Sequence, residues 1–168
     1  MVRVNIGASM LLALACLGAP SASQAVDVLP AREMALELAR DIAQGAVDAC
    51  REMGYQVSAV VVDRDGFEQV VLRDVYASRF TVQIARDKAN AVILSGIASG
   101  EFVRNRADIR AEMNHVEGIL MLEGGLPVEA AGSLLGAVGV SGAPGGDKDA
   151  ACARAGLDGV AERLQFVE

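Results

Sequence analysis

The stretch "GSLLGAVGVSGAPGGDKDAACARAG", residues 132–156, sets seven glycines and two serines around a valine-rich run and then turns charged and alanine-rich. Two chemical readings can be tested on spacing. A phosphate-cradling Walker loop needs G-x-x-x-x-G-K-[ST], and "GAPGGDKD" has neither that interval nor the closing hydroxyl. The dinucleotide fingerprint G-x-G-x-x-G is absent as well. Asp147 and Asp149 would stand where a helix N-terminus attracts an anion, and they satisfy that dipole themselves. A nucleophile elbow needs glycine two places after its serine, but Ala143 follows Ser141 at that interval. The chain's one histidine, His115, lies upstream, where such an elbow wants a base downstream. What remains is architecture. Gly136 and Gly139 let another element approach a strand closely, while Gly142, Gly145 and Gly146 shape its exit into a helix.

Upstream, apolar residues recur at three- and four-residue steps over 31–53 (Leu38, Ile42, Ala46, Ala49, Met53), with Gly54 as a stop, and predict a helix. "YQVSAVVVD" and "FEQVVLRD" flank a short Asp-Gly turn and predict a β-hairpin. Its first strand is apolar on both faces, so it belongs in the middle of a sheet covered on both sides. A second helix is expected over 78–95, capped by Ser78, with Phe80, Ile84, Ala85, Ala89 and Val92 as its apolar stripe. The charged segment 100–118 reads as a helical turn plus loop. "ILMLE", "LPVEA" and "SLLGAVGVS" then read as three strands, and 147–164 as a final helix. The order α-β-β-α-β-β-β-α implies an α/β (α+β) fold: a mainly antiparallel sheet with helices packed on it, not a Rossmann alternation.

Residues 1–25 stand apart. Arg3, an apolar run from Ile6 to Leu17 and small residues before Val26 have the order of a secretory signal peptide, with cleavage expected after Ala25. "ALAC" offers a rival lipoprotein site at Cys16, with an alanine where leucine is usual. The expected protein is a single domain, 26–168, placed in the periplasm or secreted. Cleavage removes one cation, Arg3, and takes the net charge from −7 to −8. That balance argues against nucleic acid or anionic membrane as a partner, since both demand basic surface. No segment has the length and flanks of a membrane span. Cys50 and Cys152 remain, without a C-x-x-C pair or a haem-attachment motif. An exported chain could join them. Both fall in helical patterns, so the reading taken from the sequence is two buried apolar thiols.

"VVDRDG" in the hairpin, "IARDKANAV" in the second helix, "GGLPV" at 124–128 and "GAVGVSGAPGGDKDAACARAG" at 136–156 together resemble the GlcG/HbpS family. This is a group of small haem-binding-like proteins related to the C-terminal domain of PduO-type cobalamin adenosyltransferases. Lys88, Gly124, Gly125, Pro127, Gly139, Ser141, Gly142 and Asp149 match its pattern, most of them as turn and cap residues. The resemblance implies a profilin-like α/β/α sandwich with a five-stranded antiparallel sheet, a homo-oligomer, and haem as a cofactor. Function transfers less securely than fold.

Side-chain chemistry then selects candidates. His115, in a polar segment, is the chain's best iron ligand, and Met113, Tyr55 and Tyr76 carry the other side chains suited to axial haem ligation. With a single histidine, a two- or three-histidine metal site cannot form within one subunit. Arg86 and Lys88 diverge by about 200° on their helix, and one of them would pair with a ligand carboxylate or phosphate. The leading expectation is an exported tetrapyrrole-binding protein serving haem sequestration, sensing or utilisation. A 4% aromatic content suits haem on a surface or between subunits better than a deep private pocket. A haem-degrading or corrinoid-modifying enzyme, and an oligomeric small-molecule-binding accessory protein without cofactor, stand as alternatives, and no catalytic residue is assigned. An exported chain has no ready ATP, which disfavours adenosyl transfer.

Overall fold

The computed structural model describes residues 27 and 29–165, and the fold is that of the unit beginning at Ala31. The signal-peptide and lipoprotein readings lie outside the described residues.

The valine run makes β1 (Ser58–Asp63), whose Val60, Val61 and Val62 are wholly excluded from solvent. It turns back through a tight loop into β2 (Glu68–Arg73). The Asp63 carboxylate accepts the amides of Asp65 and Phe67, both at 2.9 Å, and Gly66 supplies φ +89°. β3 (Gly125–Ala130) and β4 (Ser133–Ser141) form a second antiparallel pair. β4 joins the two hairpins by pairing with β1 from Ser58↔Ser141 to Asp63↔Gly136, giving the order β2-β1-β4-β3.

That register sorts the side chains by face. Ala59, Val61, Val138 and Val140 point to α1 (Leu36–Glu52) and α5 (Gly146–Asp158), while Val60, Val62 and Ala137 point to α2 (Phe80–Ser95). Helices therefore cover both faces, as expected for a central β1. Gly139 faces α2, and the helix lies so close that a Cβ there would overlap the Ala85 carbonyl. The remaining elements are α3 (Ser99–Asn105), a 3₁₀ turn (Ala107–Ile109), α4 (Arg110–Met113) and α6 (Ala161–Gln165). No described helix is long and apolar enough to cross a membrane.

Four expectations are corrected. The sheet has four strands among the described residues, not five. "ILMLE" is not a strand, because other partners take its backbone. The Leu120 amide bonds the Asp87 carbonyl of α2 at 3.1 Å, and the Met121 amide bonds Asn114 Oδ1 at 2.9 Å. Met121 itself is wholly buried against Ala91 and Phe102. Cys50 and Cys152 are not free thiols but a disulfide, linking α1 to α5 across a Cα–Cα distance of 5.4 Å, within the reach of such a bridge. The cause is helix proximity: Gly45 and Gly156 face each other, and a Cβ on Gly156 would stand 2.9 Å from the Ala46 amide nitrogen. The last predicted helix is also divided, with α5 ending before Gly159 and α6 starting at Ala161.

Candidate functional site

α2 carries most of the charged chemistry, and its two faces treat that chemistry differently. Lys88 points inward and is 1% exposed. Its Nζ donates to Asp149 Oδ2 at 2.7 Å and to the Val140 carbonyl at 3.0 Å, while Asp149 Oδ1 accepts the Ala143 amide at 3.0 Å. Gly124, at φ +128°, leaves room for the ammonium, which a Cβ would approach to 2.8 Å. Burial pushes the Asp149 carboxyl above its ordinary value, against the opposing pull of Lys88. Lys88 thus fastens α2 to β4 and to the start of α5, with no face turned to a ligand.

Arg86 points outward, its guanidinium bonding Glu68 at 3.0 Å and Asp87 at 3.4 Å. The Glu68 contact ties α2 to the edge strand β2 and holds the Glu68 carboxyl below its usual range. Tyr55 is half-buried against the α1 side of the core, and Tyr76 is almost fully exposed in the loop before α2.

Segment 114–121 lies alongside α2 and forms the second wall of a cleft. It is held at several points: Leu120 on the Asp87 carbonyl, the Gly118 carbonyl on Asn90 Nδ2 at 3.1 Å, and the Met121 carbonyl on Arg110 Nε at 3.2 Å. The cleft has a volume of about 460 Å³ and is open on one side. Phe80, Ile84, Val116, Ile119 and Leu120 give it apolar surface, His115 stands exposed at it, and Asp87 and Glu117 add carboxylates. Met113 is elsewhere, packed on Phe102 and Met121 and lining a separate cleft with Leu94, Ile97 and Ile109. Of the six candidates, His115, Met113, Tyr55, Tyr76, Arg86 and Lys88, the structure therefore places His115 alone on the α2 cleft.

The residues that sequence reasoning missed are Arg79 and Phe80. Phe80 reads as core in a helical stripe, yet it is 57% exposed and forms a cleft wall. The Arg79 guanidinium stacks 4.2 Å from the centre of that ring. No group of three or more His, Cys, Asp or Glu side chains that could hold a bare metal ion exists among the described residues. One imidazole beside apolar walls is a donor set that suits an iron carried in a macrocycle, which brings its own equatorial ligands.

The family described as "Haem degrading protein HbpS-like" matches residues 34–158. This chain belongs to the HbpS-like family. The resemblance carried by the hairpin, helix and glycine-rich motifs therefore holds. An HbpS double mutant of Streptomyces reticuli, as a crystal structure, aligns with a TM-score of 0.74 at 34% identity, covering 84% of this chain and 96% of its own. Protein ORFY of Klebsiella pneumoniae aligns at 0.76 with 23% identity, covering 87% of this chain and 100% of its own. PduOC, solved as a haem complex, aligns at 0.69 with 22% identity over 76% of this chain and 95% of its own. The last two show the shared fold. No curated protein sequence matches the chain.

Proposed function

We propose that this HbpS-like protein binds haem or a related iron tetrapyrrole outside the cytoplasm, for sequestration, sensing or utilisation, with His115 as the axial ligand. One observation carries the reading: the chain's only imidazole is exposed at an apolar-walled cleft of ligand-holding size, between α2 and a firmly tied loop. The HbpS-like family and the haem-bound PduOC relative support the choice of ligand. When bound, haem would supply the iron, and the chain's residues hold and orient it. Phe80, Ile84 and Leu120 would take the macrocycle's apolar faces. The open side of the cleft favours haem lying at a surface that a second subunit could cover, in keeping with a homo-oligomer. The disulfide supports export, because such bonds persist in oxidising compartments.

Hemin titration of the protein lacking residues 1–25 tests this. The wild type is expected to give a saturable Soret shift that His115→Ala loses or moves in wavelength. Absence of any saturable shift removes the haem reading. A second reading, haem degradation, is favoured by the family's own description. Steady loss of the Soret band with a reductant and oxygen, faster than for free hemin, would support it.

A further inference from the structure

The cleft is not electrically uniform along α2. Its carboxylates lie away from the helix start: Asp87 is seven residues, about two turns, beyond Phe80, and Glu117 also lines a neighbouring pocket with Gly118, Asn90 and Asp65 of the β1–β2 turn. At the opposite end stand Phe80 and, stacked on its ring, Arg79. The other cations near α2 are spoken for: Lys88 by Asp149 and Val140, and Arg86 by Glu68 and Asp87. Arg73 donates to the carbonyls of Asp74, Val75 and Ala77. Arg79 makes no ion pair or hydrogen bond among the described residues, and no acidic side chain occupies the first turn of α2 to compete for it. Its guanidinium is held over an aromatic ring that is itself a wall of the site, an arrangement that fixes the charge at low conformational cost.

We propose that Arg79 is the carboxylate anchor of the cleft: it binds the acidic side arms of the tetrapyrrole and sets the ligand's direction, with those arms at the start of α2. This rests on the tetrapyrrole reading of the cleft. A planar, always-charged fork matches a carboxylate in two-point fashion. The carboxylates at the far end repel the same groups, so both ends favour one orientation. The positive end of the α2 dipole has the same sign as Arg79. The ligand class that follows is an iron tetrapyrrole with free carboxylates on one edge, selected over its neutral ester.

The test is a two-by-two comparison. Hemin and hemin dimethyl ester are titrated, in the same mixed solvent, into wild type and Arg79→Gln, with Arg79→Lys and His115→Ala alongside. Arg79 is exposed, so its replacements are expected to fold normally. For hemin, Arg79→Gln should weaken binding about tenfold, the size of one charged hydrogen-bonded contact, and Arg79→Lys should recover part of it. For the ester, the two proteins should bind alike. Equal weakening of both ligands, or of neither, overturns the anchor while leaving the haem reading intact. Discrimination by Arg79 in a protein insensitive to His115→Ala sustains the anchor and sinks the axial assignment. No saturable binding by the wild type ends both.

Discussion

Lys88 and Arg86 stand two residues apart on one helix, and that interval gives like charges opposite roles. Arg86 reaches Glu68 at the surface, while Lys88 is taken into the interior with Asp149. The sequence shows the divergence of the two side chains. It does not show which one is buried, because that depends on Gly124 and Val140 arriving from distant parts of the chain. A buried ion pair is strongly felt when one partner is lost, since the other is left unpaired in low dielectric. Asp149→Ala is therefore expected to destabilise the protein by about 3–5 kcal/mol, and Lys88→Met with Asp149→Leu by clearly less than the sum of the singles. Urea unfolding measures both. Additive losses would show that the pair is not coupled as its 2.7 Å contact requires. The candidate site was legible to a similar extent. His115 is visible as a lone imidazole, but Arg79 and Phe80 acquire meaning only when the loop 114–121 closes the cleft opposite them.

The elements were mostly legible where one residue class repeats. Alternation and β-branching locate β1, β2 and β4, and the glycine-rich stretch does end in a strand, a glycine-shaped exit and a helix led by acidic residues. "ILMLE" misleads because an apolar run records burial and not the source of its hydrogen bonds, which here come from α2 and Asn114. The α1–α5 contact was hidden for a related reason: Gly45 and Gly156 look like weak helix positions, yet they are what permit the close approach. That approach makes a reversal of ordinary helix propensity testable. Alanine is worth about 1 kcal/mol more than glycine inside a helix. At Gly156, however, the added methyl meets the Ile42 carbonyl and the Ala46 amide, and a net loss of about 1–3 kcal/mol is expected. Gly159 provides the control, with negative φ and its nearest outside atoms 3.6 Å from a built Cβ. Gly159→Ala should be neutral or mildly stabilising. Thermal melts should fall for Gly156→Ala and hold or rise for Gly159→Ala, and a Gly156→Ala protein as stable as wild type would remove close helix packing as the reason for the glycine.

At the scale of the whole molecule, the covalent tie between α1 and α5 and the signal-peptide reading of residues 1–25 make one joint prediction. Cys50 and Cys152 are 102 residues apart, so their bridge closes most of the fold into one loop and restricts the unfolded chain accordingly. Removing such a bridge typically lowers stability by about 2–5 kcal/mol. If the chain is exported and cut after Ala25, as its opening residues predict, the recovered protein should begin at Val26 and show no reactive thiol in denaturant. The same sequence without residues 1–25, made in a reducing cytoplasm, should show two thiols, melt at lower temperature, and regain the difference on oxidation. Intact mass and thiol titration read both outcomes. The lipoprotein alternative predicts a different species: an acylated chain beginning at Cys16, which fractionates with membranes. Two free thiols in the exported protein would break the link between compartment and fold, because the helix pair would then form its contact through Gly45 and Gly156 without the bond. A protein that binds hemin equally well with the bridge open or closed would further place the disulfide on the side of endurance outside the cell, not of ligand binding. That outcome is the expected one, since Cys50 and Cys152 lie in the core on the α1 and α5 face of the sheet and the His115 cleft lies along α2 on the other.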